Sequence, residues 1–367
     1  MEGEKINTVF VKSSPRFIHL VTASILFAAS SQAIAVAYTF TDLGTLVGRG
    51  GFSAAYDINN AGQVVGESTA LDDTSHATLW NGAAATDLGA LGPSADFSVA
   101  RGINNAGQVV GYAYGHGDGI PTQAVLWNGA DITELGRLPG VRYPNIASAI
   151  NDSGQIAGSS GLGDDSSDFF SQATLWNGTT VTTFGVMGGL ATNAHGINNS
   201  GQVVGQIVEN DDSRTAIFWD GTVWHTLGNG TAYAINDSGQ IVGEDSGTAI
   251  LWEGTARTIL GSGTAYAIND SGQIVGEDSG TAILWDGTAA SDLNSLLDAG
   301  TIGAGWVLTS ASGINDNGAI VGAASNSRLG IISHAFLMTP VPEPEIHAML
   351  LAGLGVVGFM ARRRKRR

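Results

Sequence analysis

No cysteine occurs in the 367 residues. Disulfides, thiolate metal sites and a cysteine nucleophile are therefore excluded. Stability has to come from a packed core, which a chain of this length can supply. Proline is scarce, at 8 residues against 53 glycines, which excludes collagen and proline-rich linkers and fits many tight turns. Lysine is absent between residues 38 and 340, where the only strong cations are seven arginines. A phosphate-loop lysine and a Schiff base are thereby excluded from that span. The formal charge of −17 opposes binding to nucleic acid or anionic lipid. Sustained helical periodicity is missing from the body of the chain, as are a Gly-x-Ser-x-Gly elbow and a His-x-x-x-His pair.

Long apolar runs are confined to the two ends. Residues 1–37 read as a secretory signal peptide: Lys12 and Arg16 precede the apolar stretch Phe17 to Ala29, and small residues at Ala33, Ala35 and Ala37 offer cleavage sites before Tyr38. At the other end, residues 341–367 open with Val341, Pro342, Glu343 and Pro344. An apolar run from Ile346 to Ala361 follows, and the cluster Arg362, Arg363, Arg364, Lys365, Arg366, Arg367 closes it. As a helix the run would be about 24 Å long, short of a hydrocarbon core of about 30 Å. The basic cluster would stay on the cytoplasmic side.

Between these ends one unit recurs seven times. Its first element is Ile-Asn, two residues, Gly, usually Gln, two apolar residues and Gly, with the Ile at 58, 103, 150, 197, 235, 268 and 314. Its second element runs from Ala to Trp and a turn, as in Ala77-Thr78-Leu79-Trp80-Asn81-Gly82. A third, such as Asp87-Leu88-Gly89, closes several units. Asn-Gly between β-forming runs predicts a two-residue hairpin with both central residues at positive φ. Gly62 and its equivalents predict a left-handed turn residue. Each unit thus reads as four short antiparallel strands. Seven such units predict a seven-bladed β-propeller over 38–340. The stretch Thr39-Phe40-Thr41-Asp42-Leu43-Gly44 reads as a fourth strand with no unit before it, while the last unit stops after three. The N-terminal strand is therefore expected to complete the last blade. Residues 231–252 and 264–285 are identical, which marks a duplicated unit.

Two resemblances follow. The Pro-Glu-Pro, short helix and arginine cluster resemble the PEP-CTERM sorting signal, which implies handling by an exosortase, transient inner-membrane insertion, and delivery to the cell envelope or exterior. The Ile-Asn…Gly-Gln and Asp-Leu-Gly elements, with His334-Ala335-Phe336 and the variant His76-Ala77-Thr78, resemble the HAF repeat. That resemblance implies an extracellular location and assigns no reaction. The company such tails keep implies association with exopolysaccharide or biofilm.

The repeat offers few chemical groups. The Trp of each unit reads as core between blades; Trp224 and Trp306, outside that register, are candidates for exposed contacts. The acidic pairs Asp72-Asp73, Asp164-Asp165 and Asp211-Asp212, with Asp168, could attract calcium, but the EF-hand order is absent and solvated loops are the plainer reading. No other cofactor is expected. The position two before each repeat Ile varies inside a fixed frame: Tyr56, Arg101, Ser148, His195, Tyr233, Tyr266 and Ser312. Tyr56, Arg101, His195, Tyr233 and Tyr266 are the candidate ligand surface, with simple filling of the inner strand as the alternative. The expected function is a non-catalytic binding or structural module. The alternative is a glycan-active lyase or hydrolase on the same scaffold.

Overall fold

The computed structural model describes residues 37–48, 50–92, 96–115, 122–138, 144–161, 171–178, 180–185 and 191–341. Its sheets are seven, each four-stranded and antiparallel. The first comprises β2 (Ser53–Ile58), β3 (Gln63–Thr69), β4 (Ser75–Asn81) and β5 (Ala84–Asp87), paired in sequence order. Five more sheets with the same order occupy 97–134, 145–183, 191–229, 231–262 and 264–292. The seventh joins strands Val307–Ile314, Ile320–Asn326 and Ile331–Pro340 to β1 (Tyr38–Gly44). The seven-bladed propeller closed by its N-terminal strand is thus the observed architecture. β1 pairs from Tyr38 opposite Pro340 to Gly44 opposite Ala335, so the N-terminal strand supplies the fourth strand of the last blade.

The two glycines of the first element do separate jobs. The turn glycine, Gly62 and its equivalents, has φ of 75–84° in all seven units. The second glycine is demanded by crowding. A Cβ on Gly66 would lie 1.9 Å from the carbonyl oxygen of Ala54, and one on Gly158 would lie 2.0 Å from that of Ile146. The same collision recurs at Gly111, Gly205, Gly243, Gly276 and Gly322.

The Asn-Gly hairpins differ from expectation. Asn81 pairs with Ala84 as the last strand residue, so the turn is Gly82-Ala83, and only Gly82 (φ 60°) is left-handed. The paired Asn is held extended by the sheet, which moves the turn one residue on. Turns with both residues at positive φ occur instead at Ser246-Gly247 and Ser279-Gly280.

Core is distributed between blades, as the repeated tryptophans require. Trp80, Trp127, Trp176, Trp252 and Trp285 are fully buried, each clustered with aliphatic side chains of an adjoining sheet. Trp224 and Trp306 are half-buried rather than freely exposed. Trp224 lies against Phe184 (5.2 Å between ring centres) and Trp219 (5.5 Å), and Trp306 against Phe40 (5.2 Å). A 3-10 turn (Leu293–Leu296) and a short helix, α1 (Ala299–Ala304), capped by the Asp298 carboxylate, interrupt the β pattern before the last sheet. Among the described residues no helix is long and apolar enough to cross a membrane. The expected tail helix, 346–361, and the leader, 1–36, lie outside the described residues.

Candidate functional site on the propeller axis

The innermost strand of every sheet is bulged at the same place. In β2 the register against β3 slips between Ala55 and Asp57, leaving Tyr56 unpaired. The slip recurs at Arg101, Ser148, His195, Tyr233, Tyr266 and Ser312. A bulge frees one residue from the ladder and re-aims its side chain. The frame is constant because Ala before the bulge and Gly opposite it must be small. The bulged residue itself has no partner to satisfy, so its identity is free to vary.

These side chains meet around the axis. The Arg101 guanidinium lies 4.7 Å from the centre of the Tyr56 ring and 5.7 Å from that of Tyr112. His195 and Tyr233 approach to 5.6 Å between ring centres, as do Tyr233 and Tyr266. Ser312 donates to the carbonyl of Ala55 at 2.6 Å, joining the last blade to the first. All five candidate residues thus stand at equivalent bulges of the blades, in two contact groups, Tyr56 with Arg101 and His195 with Tyr233 and Tyr266. Arg101 is exposed, with its guanidinium flanked by the Tyr56 and Tyr112 rings.

The second strand of each blade adds a neighbour to the ring. The Tyr56 hydroxyl donates to Glu67 Oε1 at 2.5 Å, and Ser75 donates to Oε2 at 2.6 Å. Burial, then the Glu67 charge, pushes the Tyr56 hydroxyl well above the usual phenol range. Burial, then Glu277, pushes Tyr266 up to about 12. Both phenols stay protonated at any physiological pH. His195 is held at about 4 by burial first, then by Arg214 and Arg101, so its imidazole is neutral at pH 7. Its Nε2 is buried without a hydrogen-bond partner.

Asp57 is the functional candidate that sequence reading missed. The six equivalent positions hold Gly or Ala, a signal that was available in the repeat. Its carboxylate accepts from the Ile58 amide at 2.8 Å and, across the blade boundary, from the Ile103 amide at 2.9 Å. Burial outweighs both bonds and raises the group to about 6.

The other mouth of the axis is built from the invariant Asn. The Asn59 side-chain amide donates to the Asn104 carbonyl at 3.1 Å. The same bond passes from 104 to 151, 198, 236, 269 and 315, and Asn315 returns it to Asn59 at 2.9 Å. A second closed ring runs one residue further along. The amide of Asn60 donates to Asn105 Oδ1, and the pattern continues through Asp152, Asn199, Asp237, Asp270 and Asp316 back to Asn60. Together with the seven Ile these residues line a cavity of about 200 Å³. Burial and the carboxylates of Asp316, Asp237 and Asp152 raise Asp270 above its usual range.

The remaining chemical groups are tied into structure. His334 Nδ1 bonds Asp42 at 2.9 Å and His76 Nδ1 bonds Asp87 at 2.8 Å, in each case joining the third strand to the fourth. Asp72 holds the amide and hydroxyl of Thr74 within its own turn. Among the described residues no group of three His, Asp or Glu side chains could hold a metal ion. Asp164, Asp165 and Asp168 lie outside them. So do Pro342, Glu343, Pro344, Arg362, Arg363 and Arg364, while Val341 is described and donates its amide to the Ala37 carbonyl at 2.7 Å.

A family model described as the PEP-CTERM protein-sorting motif matches residues 340–365. That motif implies exosortase-dependent sorting to the cell envelope or extracellular space. No curated protein matches the chain. Similar solved structures include a puromycin-hydrolyzing peptidase of Mycobacterium tuberculosis, at 11% identity and TM-score 0.49 over 74% of this chain. The chain spans about half of that peptidase, which is covered to 50%. YCF48 bound to D1 peptide follows at 10% identity and TM-score 0.48, covering 84% of this chain and 96% of that one. The SapL1 lectin in complex with alpha methyl fucoside has 14% identity and TM-score 0.41, covering 80% and 97%. A peptidase and a lectin stand side by side here, so backbone likeness favours neither catalysis nor binding.

Proposed function

We propose that the protein is a non-catalytic binding module of the cell surface or extracellular matrix, with the bulge ring as its ligand surface and exopolysaccharide as its partner. The leader is residues 1–37, the propeller 38–340 and the sorting tail 341–367, with the tail transiently in the inner membrane. The HAF-repeat resemblance supports the extracellular placement.

One observation carries the reading. Seven structurally equivalent bulges vary in side chain while everything holding them is fixed. A position serving only to fill space would settle on residues of similar volume, whereas Arg, Tyr, His and Ser differ in size, charge and hydrogen bonding. Binding is preferred over a hydrolase because no bulge position carries a carboxylate for the paired acid and base of glycan cleavage, and the raised Tyr56 and Tyr266 phenols are poor bases. The test is a glycan-binding screen of the full-length protein in detergent, with and without calcium. Retention of a glycan without turnover supports the module. Release of product would establish the enzyme, and no retained glycan across acidic and neutral panels would sink the reading.

A further inference from the structure

Two of the five described arginines are ion-paired, and Arg101, like Arg214 and Arg328, is not. Arg137 pairs with Glu134 and Arg257 with Asp245, both on the outer parts of their blades. Among the described residues Arg101 has no carboxylate partner. Its one hydrogen bond is a long contact to the Tyr112 hydroxyl at 3.4 Å. A guanidinium carries five N–H donors, so most of its fork is unused. Glu67 is close enough to act on the Arg101 charge but forms no ion pair with it; its oxygens accept instead from the Tyr56 and Ser75 hydroxyls at 2.5 and 2.6 Å.

The fork is also held in place. It is stacked over Tyr56 and Tyr112, and the Tyr112 ring is backed by Tyr114 at 6.0 Å, which in turn stacks on Phe97 at 4.9 Å. A bulged backbone and an aromatic bed fix an otherwise mobile side chain, so little entropy is left to lose on binding. In a chain of formal charge −17, an unpaired guanidinium kept accessible on the axis costs solvation for no internal ion pair. Such a fork matches a planar oxyanion bidentately.

We propose that Arg101, bedded on Tyr56 and Tyr112, is the subsite for the carboxylate of an acidic sugar unit, such as a uronate within a polysaccharide. This rests on the proposed reading of the bulge ring as a ligand surface and names the class of ligand it takes. The guanidinium supplies the paired donors, and the neighbouring aromatic side chains supply the apolar faces on which a pyranose ring can lie.

The test is equilibrium binding by the full-length protein in detergent of a uronate oligosaccharide, a neutral oligosaccharide of the same length, and inorganic phosphate. Wild type is expected to prefer the uronate oligosaccharide at least tenfold over the neutral one, with a preference that shrinks as salt rises. Arg101→Ala should abolish the preference. Arg101→Lys, which keeps charge but not the fork, should lose most of it. Equal affinity for the two oligosaccharides, or an unchanged preference in Arg101→Ala, overturns the acidic-sugar assignment while leaving the ring as a ligand surface. Phosphate binding as tight as the uronate oligosaccharide would show an oxyanion site with no sugar component and also overturns it. No binding of any saccharide removes the underlying reading as well. Arg257→Ala, which removes an ion-paired arginine on an outermost strand, is the control for folding and for general loss of charge, and should bind as wild type does.

Discussion

The two mouths of the axis are made by the same seven strands, from residues three positions apart, yet they obey opposite rules. At the Asn mouth every blade presents the same side chain, because each amide bonds the carbonyl of the next blade. A side-chain change in one blade therefore removes its bond to the next, while its own backbone carbonyl still accepts from the blade before. At the bulge mouth the side chain has left the ladder, and its neighbours contact it only through faces and tips. The lesson is that a closed ring needs one invariant seam to set its geometry. Once that is in place, a nearby unpaired position can carry any chemistry without touching the fold.

The sharpest way to break this contrast is at the crowded glycine opposite the residue before the bulge. Gly158→Ala would force its Cβ onto the Ile146 carbonyl, with no flexible atom able to yield. A loss of about 3 kcal/mol is expected in denaturant unfolding, and a neutral outcome would show that the bulge is not as tight as described. Cutting the seam comes next. Asn198→Ala removes the bond to the Asn236 carbonyl and the turn bonds to Ser200 and Gln202, all at a buried site. A cost of about 2 kcal/mol is expected, with no change in ligand binding.

Asp57 sits between the two regimes, and pH separates them. Its folded value of about 6 lies above the ordinary value of 3.8, so the folded chain keeps a proton that the unfolded chain has lost. Stability from this group is therefore present at low pH and falls as pH rises from about 4 through about 6, by about 3 kcal/mol. His195 works in the other direction. With a folded value of about 4 against 6.5, its contribution is lost as pH falls through that range. Thermal denaturation of Asp57→Asn beside wild type isolates the first effect. The variant loses one of the two amide bonds at every pH, but its stability should not fall between pH 4 and pH 8 as that of wild type does. A constant gap would mean that the carboxylate is already well solvated. The smallest effect is expected at the bulge itself: Ser148→Ala should shift stability by less than about 0.5 kcal/mol.

Much of this was legible in the repeat. The invariant Ile, Asn and paired Gly announced a turn flanked by strands, and the unmatched Asp42-Leu43-Gly44 announced the closing strand, because local turn chemistry and alternation are properties of short segments. The five candidate residues were legible as variation inside a constant frame. Their mechanism was not, since a bulge exists only relative to a partner strand. Nor could the Asn-Asn closure be read, because it joins residues 33 to 256 positions apart. Asp57 was visible as the one charged residue among Gly and Ala, but its raised titration depends on what surrounds it.

The duplicated unit draws the boundary most clearly. Residues 231–252 and 264–285 are the same sequence and form the same three strands, so strand formation was settled by the sequence itself. Yet Thr231 is buried and bonded to Gln206 at 2.7 Å, while its twin Thr264 is only half-buried. Leu251 is half-buried, while its twin Leu284 is buried in a cluster with Leu293 and Leu297 from the segment before the last sheet. Dihedral preference and turn chemistry act within the segment, so the sequence alone decides them. Burial, charge and the partners offered to each side chain come from the neighbouring blade, so only closure of the ring decides those.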